Sequence, residues 1–285
     1  MNQAVDSLTQ RTSSPLGMVR DEVSALARRL WIHRAVLLAV TRVELGRRYA
    51  GSFLGALWYP LYWAILLGMY CFVYIVILRQ KLPELGEFGY VLFIFSGLIP
   101  YFGISDAIAS GTASVRQNMS FVRNAIFPVE LIPVKAVLVA LVSQAVAVAI
   151  LAVLAVAAQF GGWHLLYLPV PFLFEVLLLC GVVWALSAIN VLVPDIQQVT
   201  TLVLWLLLFL SPIGFTISQV PASYRWVVWL NPLTYLIEEF RFALLGTRTM
   251  QAPASIALLV AISITFAIVG AVVFRRLMVV FAEYE

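Results

Sequence analysis

Six long apolar runs separated by short polar stretches dominate the chain: 54–78, 89–111, 131–158, 168–193, 199–217 and 254–274. The first, Leu54 to Leu78, holds 25 residues without a charge. As a helix it extends about 38 Å at roughly 1.5 Å per residue, enough to cross a hydrocarbon core of about 30 Å with some tilt. The pattern predicts an all-α polytopic membrane protein with six transmembrane helices in residues 54–285. Between the fifth and sixth runs, residues 211–246 read SPIGFTISQVPASYRWVVWLNPLTYLIEEFRFALLG. This stretch is too apolar for a solvated loop, and Pro212, Pro221 and Pro232 break it too often for it to cross. It predicts short outer re-entrant helices within 218–250, a broken backbone that a membrane tolerates only where protein or a water-filled cavity surrounds it. A chain with such a segment is expected to line a passage.

Ahead of the first run, residues 1–16 are polar and predict a flexible tail. Over 17–53, Leu26, Leu30, Leu37 and Val40 recur at helical spacing among arginines, which predicts amphipathic interface helices in the headgroup layer. They would act either as a surface anchor or as a cuff at the cytoplasmic entrance. An even number of crossings places both termini on one side. Thirteen of the 18 Lys and Arg flank the runs on that side against five on the other, so both termini are expected to be cytoplasmic. The leader is too long and too charged for a secretory signal, so no cleavage is expected.

Composition agrees with this reading: 63% hydrophobic, 11% charged, mean hydropathy +0.99. The net charge of +4 is concentrated in the arginine-rich leader beside a span, which suits anionic lipid or an acidic partner rather than nucleic acid. Cys71 and Cys180 lie inside apolar runs and are expected to be packing residues, with no disulfide or metal site.

Candidate chemistry is sparse. In the first run Tyr59, Trp63, Tyr70 and Tyr74 share one helical face, and with Tyr62 they form a column of rings on which a sugar polymer can slide. Trp205 and Phe209 are weaker candidates in the fifth run. An interfacial aromatic belt accounts for Trp58 and Tyr59 but less well for the deeper Tyr70. Asp106 and Glu175 are acids inside apolar runs, where a carboxylate needs a partner; no sequence feature names one for Glu175. Residues 112–130, TASVRQNMSFVRNAIFPVE, form an amphipathic segment suited to docking on a partner through Arg116, Phe121, Arg123, Phe127 and Glu130. There is no phosphate-cradling GxxxxGK[ST] loop, no HExxH and no GxSxG, so the chain is expected to be neither an ATPase by itself nor an enzyme. Glu238, Glu239 and Arg241 do not match the spacing of an intramembrane prenyl protease.

Several pieces together resemble the permease subunit of bacterial polysaccharide ABC exporters, the type 2 permease family. They are RRYAGSFLGALW, FSGLIPYFGISDAI, NMSFVRNAIFPVELIPV, INVLVPDI, SPIGF and NPLTYLIEEFRFALLG, in that order over roughly 42–283. Pro194 precedes Asp195 where that family usually has an arginine. The resemblance implies a homodimer with two copies of a cytoplasmic ATP-binding-cassette subunit that binds ATP and Mg. It implies a channel at the dimer interface and a lipid-linked polysaccharide as cargo, with O-antigen ahead of capsule or teichoic acid. It further implies ATPase contact through residues 119–130, and an outer gate containing Asn231, Pro232, Glu238, Glu239 and Arg241. An ABC exporter of a drug or small lipid is the alternative, and a secondary transporter is the alternative of another class, although no internal repeat supports it.

Overall fold

The computed structural model describes residues 24–26, 28–48, 51–79, 85–119, 128–248, 250 and 252–283. Among these there is no strand. The α-helices are α1 (Arg34–Arg48), α2 (Trp58–Cys71), α3 (Gly86–Gln117), α4 (Leu131–Ala157), α5 (Pro169–Leu192), α6 (Ile196–Leu210), α7 (Arg225–Leu230), α8 (Pro232–Leu245) and α9 (Ala252–Glu283). A wider π turn, Phe72–Ile77, extends α2, and a 3-10 turn, Trp163–Tyr167, leads into α5. Helices are the expected solution for such runs, because in lipid each backbone N–H and C=O must find its partner within the segment.

Five helices among the described residues are long and apolar enough to cross a membrane: 58–77, 86–117, 131–157, 163–192 and 254–278. Helix α6 is equally apolar but has 15 residues. The fifth run is helical only to Leu210, where Ser211 turns extended at φ −84°, ψ 142°. Pro212 explains the stop, since the residue before a proline is driven out of the helical region. Helix α3 continues past the predicted end of the second run and takes in the first residues of 112–130.

Helix α3 is the centre of the bundle, with Val91, Leu92, Ile104, Ala107 and Val115 fully enclosed. It packs against α4, α5, α8 and α6, while α9 packs mainly on α5. Lipid tails are as apolar as leucine, so burial alone does not drive these helices together; close backbone contact does. Gly181 of α5 and Gly270 of α9 provide it. A Cβ on Gly181 would lie 2.1 Å from the Phe266 carbonyl oxygen, and one on Gly270 would lie 1.9 Å from that of Gly181.

Helices α2 and α6 are peripheral. Trp63 is the buried residue of α2, and Thr200 and Leu204 are those of α6. Both helices lean on α3 at adjacent residues: Trp63 meets Phe102 edge-on, and the Tyr101 hydroxyl donates to the Leu204 carbonyl. The amphipathic α1 turns Leu37 and Thr41 inward and lies along α4, fixed by a 3.1 Å Lys135–Glu44 ion pair. Just upstream, Arg29 pairs with Glu130 at the start of α4 at 2.5 Å.

The segment between α6 and α9 folds back into the bundle. Asn231 caps α8 by accepting from the Leu233 N–H at 3.0 Å, Pro232 occupies the first helical position, and Gly246 ends the helix at φ 70°. Its 14 residues reach about 21 Å, short of a crossing. Pro232 and Leu233 share a half-open apolar cavity with Leu178, Leu207 and Phe266. At its other end, Gly246 rests on His164 in the turn between α4 and α5. Helix α8 therefore packs within the bundle and ends at that turn, without the length to cross.

Candidate functional site

The aromatic residues of α2 divide between one packed face and its exposed edge. Tyr59, Trp63, Tyr70 and Tyr74 do share a face, and it turns toward α3. Trp63 sits edge-on to Phe95 and Phe102 at 6.5 and 6.0 Å, Tyr70 edge-on to Phe95 at 5.3 Å, and Tyr74 edge-on to Tyr90 at 5.7 Å. Edge-to-face packing of this kind adds to the area that the rings bury. Tyr62 lies at the edge of that face, its ring edge-on to Trp63 at 5.7 Å, and is 53% exposed, together with Ile65, Met69, Phe72 and Val76. On α6, Trp205 and Phe209 are 60% and 76% exposed. The chain thus presents two largely uncovered apolar helices, each carrying rings.

The end of the bundle that carries α1 is ionic. Arg48 reaches Asp106 of α3 with two bonds, Nη1 to Oδ2 at 2.8 Å and Nη2 to Oδ1 at 3.3 Å. Both side chains remain partly exposed, at 31% and 41%. Arg116 is exposed at the end of α3, while Glu130 joins Arg29 and accepts at its backbone carbonyl from Trp184 Nε1 at 3.1 Å. Phe121, Arg123 and Phe127 lie outside the described residues.

Glu175 finds its partner on α4. Gln144 Nε2 donates to Glu175 Oε2 at 2.9 Å in full burial. The signal for this pair was available: Gln144 is the one amide in the run 131–158. Gly103 of α3 makes room for it, since a Cβ there would meet Gln144 Oε1 at 1.7 Å.

The polar residues of the segment between α6 and α9 form an internal clasp. Arg241 is fully buried, donates from Nη1 to Glu238 Oε1 at 2.7 Å, and donates from Nη2 to the carbonyls of Pro212 at 2.7 Å and Ile213 at 3.2 Å. Its guanidinium lies 3.6 Å from the centre of the Phe93 ring. Burial lowers its pKa from the ordinary value and the Glu238 carboxylate opposes that fall. An arginine starts high enough to stay charged. The amide of Asn231 donates to Ser211 Oγ at 2.9 Å, and the Tyr90 hydroxyl to the Gly214 carbonyl at 3.1 Å. Four contacts therefore tie the chain leaving α6 to α3 and α8. Glu239, next in sequence, faces another way: it accepts from Tyr167 at 3.0 Å and Ser255 at 2.5 Å, and pairs with Arg248 at 3.2 Å. Tyr167, Arg248 and Ser255 carried no signal in the sequence, because each is an ordinary polar residue near the end of a run.

A helical bundle with five crossing-length helices, a short buried helix packed among them and two largely uncovered ring-bearing helices defines an all-α polytopic membrane protein. Over residues 36–245 the chain matches the ABC-2 type transporter family, and it belongs to that family. It is 26% identical over 261 residues to the O-antigen export system permease protein RfbA of Myxococcus xanthus, covering 90% of this chain and 98% of that protein. It is 25% identical over 255 residues to the RfbA permease of Klebsiella pneumoniae, covering 87% and 94%. To the polysialic acid transport protein KpsM of Escherichia coli it is 24% identical over 221 residues, covering 75% and 83%.

Proposed function

We propose that this chain is the permease subunit of an ABC exporter that moves a lipid-linked polysaccharide across the inner membrane, with an O-antigen as the leading cargo. The observation that carries the reading is the nearly end-to-end likeness to permeases named for O-antigen and polysialic acid export. Two copies assemble with two ATP-binding-cassette subunits, which bind ATP and Mg and supply the energy. Both termini are cytoplasmic, and α6 with the extended chain after it makes a sixth crossing.

The exposed helices α2 and α6 line the path between the two copies. Tyr62, Trp205 and Phe209 offer many weak ring contacts, so a polymer advances without a deep minimum. Trp63, Tyr70 and Tyr74 support that surface from behind through α3. ATP-driven closure reaches the bundle through residues 112–130 and α1, and shifts α2 and α6, the helices that the core holds least. Helix α8 closes the outer end.

The test is surface display of glycan in cells lacking the chromosomal copy. Loss of surface glycan, restored by the parent chain, is the expected result. The triple variant Tyr62→Ala, Trp205→Ala, Phe209→Ala should assemble normally and export poorly, whereas undiminished surface glycan from it would refute the lining. Surface glycan that persists without any copy would refute the exporter reading.

A further inference from the structure

At the end of the bundle that carries α1, a half-open hollow of about 490 Å³ lies between α1, α3 and α4. Each helix turns a stripe of residues into it. From α1 come Glu44, Arg47 and Arg48, spaced i, i+3, i+4; from α3 come Ser110, Ser114 and Gln117, spaced i, i+4, i+7. Helix α4 adds Val139 as an apolar floor and Lys135, the one charge in the run 131–158. A cation in such a run is costly and by default marks a functional position.

The charges in this wall do not cancel. Lys135 pairs with Glu44 at 3.1 Å, and Arg48 with Asp106 at 2.8 Å. Arg47 is exposed and, among the described residues, has no ion-pair partner, so one cation is left over. The hydroxyls of Ser110 and Ser114 donate to carbonyls of their own helix, those of Asp106 and Gly111, at 2.6 Å each. The donors left to a ligand are the Arg47 guanidinium, the Gln117 amide and the ammonium protons of Lys135 that Glu44 does not take.

Beyond the hollow, the same face of α4 changes character. Val142, Val146 and Val153 continue the line of Lys135 and Val139 at helical spacing and are 44%, 42% and 69% exposed. They lie about 10–27 Å further along the helix than Lys135. A cationic hollow thus leads into an uncovered aliphatic track.

We infer that the hollow binds the headgroup of an anionic phospholipid, its phosphodiester between Arg47 and Lys135 and an acyl chain along the valine track. The surplus of one cation matches the single charge of a phosphodiester, and charge-assisted hydrogen bonds from a guanidinium fork and an ammonium are among the strong ones. A free phosphate would leave the valines uncovered. A diphosphate would bring more charge than the wall leaves unmatched. The bound lipid bridges α1 to α4 and so fastens the amphipathic helix to the bundle. This goes beyond the exporter reading and does not rest on it, because the lipid is a component of the bilayer and not the cargo.

The test titrates the full-length chain in detergent micelles and reads the Kd of four probes. They are phosphatidylglycerol, phosphatidylcholine with the same acyl chains, undecaprenyl diphosphate and inorganic phosphate. Phosphatidylglycerol should bind most tightly. Arg47→Gln and Lys135→Gln should each weaken it by about tenfold and leave phosphatidylcholine as it was. Arg116→Gln removes an exposed cation at the end of α3 but outside the hollow, and should match the parent. Because Arg47 is exposed, its variant decides the matter if Lys135→Gln proves unstable. Equal affinity for the two phospholipids, or an Arg47→Gln variant that binds phosphatidylglycerol like the parent, would overturn the site. Equal weakening by Arg116→Gln would replace it with a diffuse surface field. Tighter binding of undecaprenyl diphosphate would overturn the phospholipid and give the hollow to the cargo's headgroup, and inorganic phosphate that binds as well as phosphatidylglycerol would reduce it to a soluble-anion site.

Discussion

Replacing Arg241 with methionine tests the clasp that holds the chain leaving α6. Arg241 is 0% exposed and serves three acceptors, Glu238, Pro212 and Ile213, at 2.7, 2.7 and 3.2 Å. Methionine fills much of the volume but leaves the Glu238 carboxylate, itself 2% exposed, without its counter-charge. Breaking a buried pair from one side costs about 3–5 kcal/mol, and each unpaired backbone carbonyl adds to that. The same interior penalises both partners, so the double variant Arg241→Met, Glu238→Gln should lose distinctly less than the sum of the two single losses. The assay is the melting midpoint of the detergent-solubilised protein, read by loss of the monodisperse peak after heating. Arg241→Met should lower it on the order of 10 °C. Additive losses, or a midpoint unmoved by Arg241→Met, would refute a paired buried charge holding the segment after α6.

Two further variants test packing elsewhere. Gly270→Ala places a Cβ 1.9 Å from the Gly181 carbonyl oxygen, so α5 and α9 must separate; overpacking costs about 1–3 kcal/mol or more, and the yield of folded protein should fall, whereas Gly214→Ala, with open space around it, should leave the yield intact. Gln144→Leu removes the donor to Glu175 and should cost about 1–3 kcal/mol, while adding Glu175→Leu should restore most of that loss, because two apolar partners no longer leave a buried polar group unpaired. Thermal melting of the three proteins checks this order, and a double variant less stable than Gln144→Leu would contradict it.

What was legible in the sequence was what the bilayer dictates locally. Runs of crossing length, the amphipathic helix with Leu37 inward, and the broken stretch holding Pro212, Pro221 and Pro232 follow from hydropathy, period and proline chemistry. The shared face of Tyr59, Trp63, Tyr70 and Tyr74 followed from the 3.6-residue period in the same way. What that face meets did not, because period is a property of one helix and contact a property of two. Only the packed bundle turned it toward Phe95 and Phe102 and left Tyr62 outside.

The ionisable residues divide similarly. That Glu175 needs a partner was dictated by burial in an apolar run; that the partner is Gln144, 31 positions away, depended on the crossing of α4 and α5. Glu238, Glu239 and Arg241 stood together in the sequence without declaring their roles. The fold separates them, because a helix points adjacent side chains about 100° apart. Glu238 and Arg241, three residues apart, meet on one face and clasp the chain leaving α6, while Glu239 turns to Tyr167, Arg248 and Ser255. The sequence by itself determined that the chain enters the membrane, where it breaks and which residues require partners; the tertiary structure decided which partners they have, since those are set by how helices distant in sequence cross.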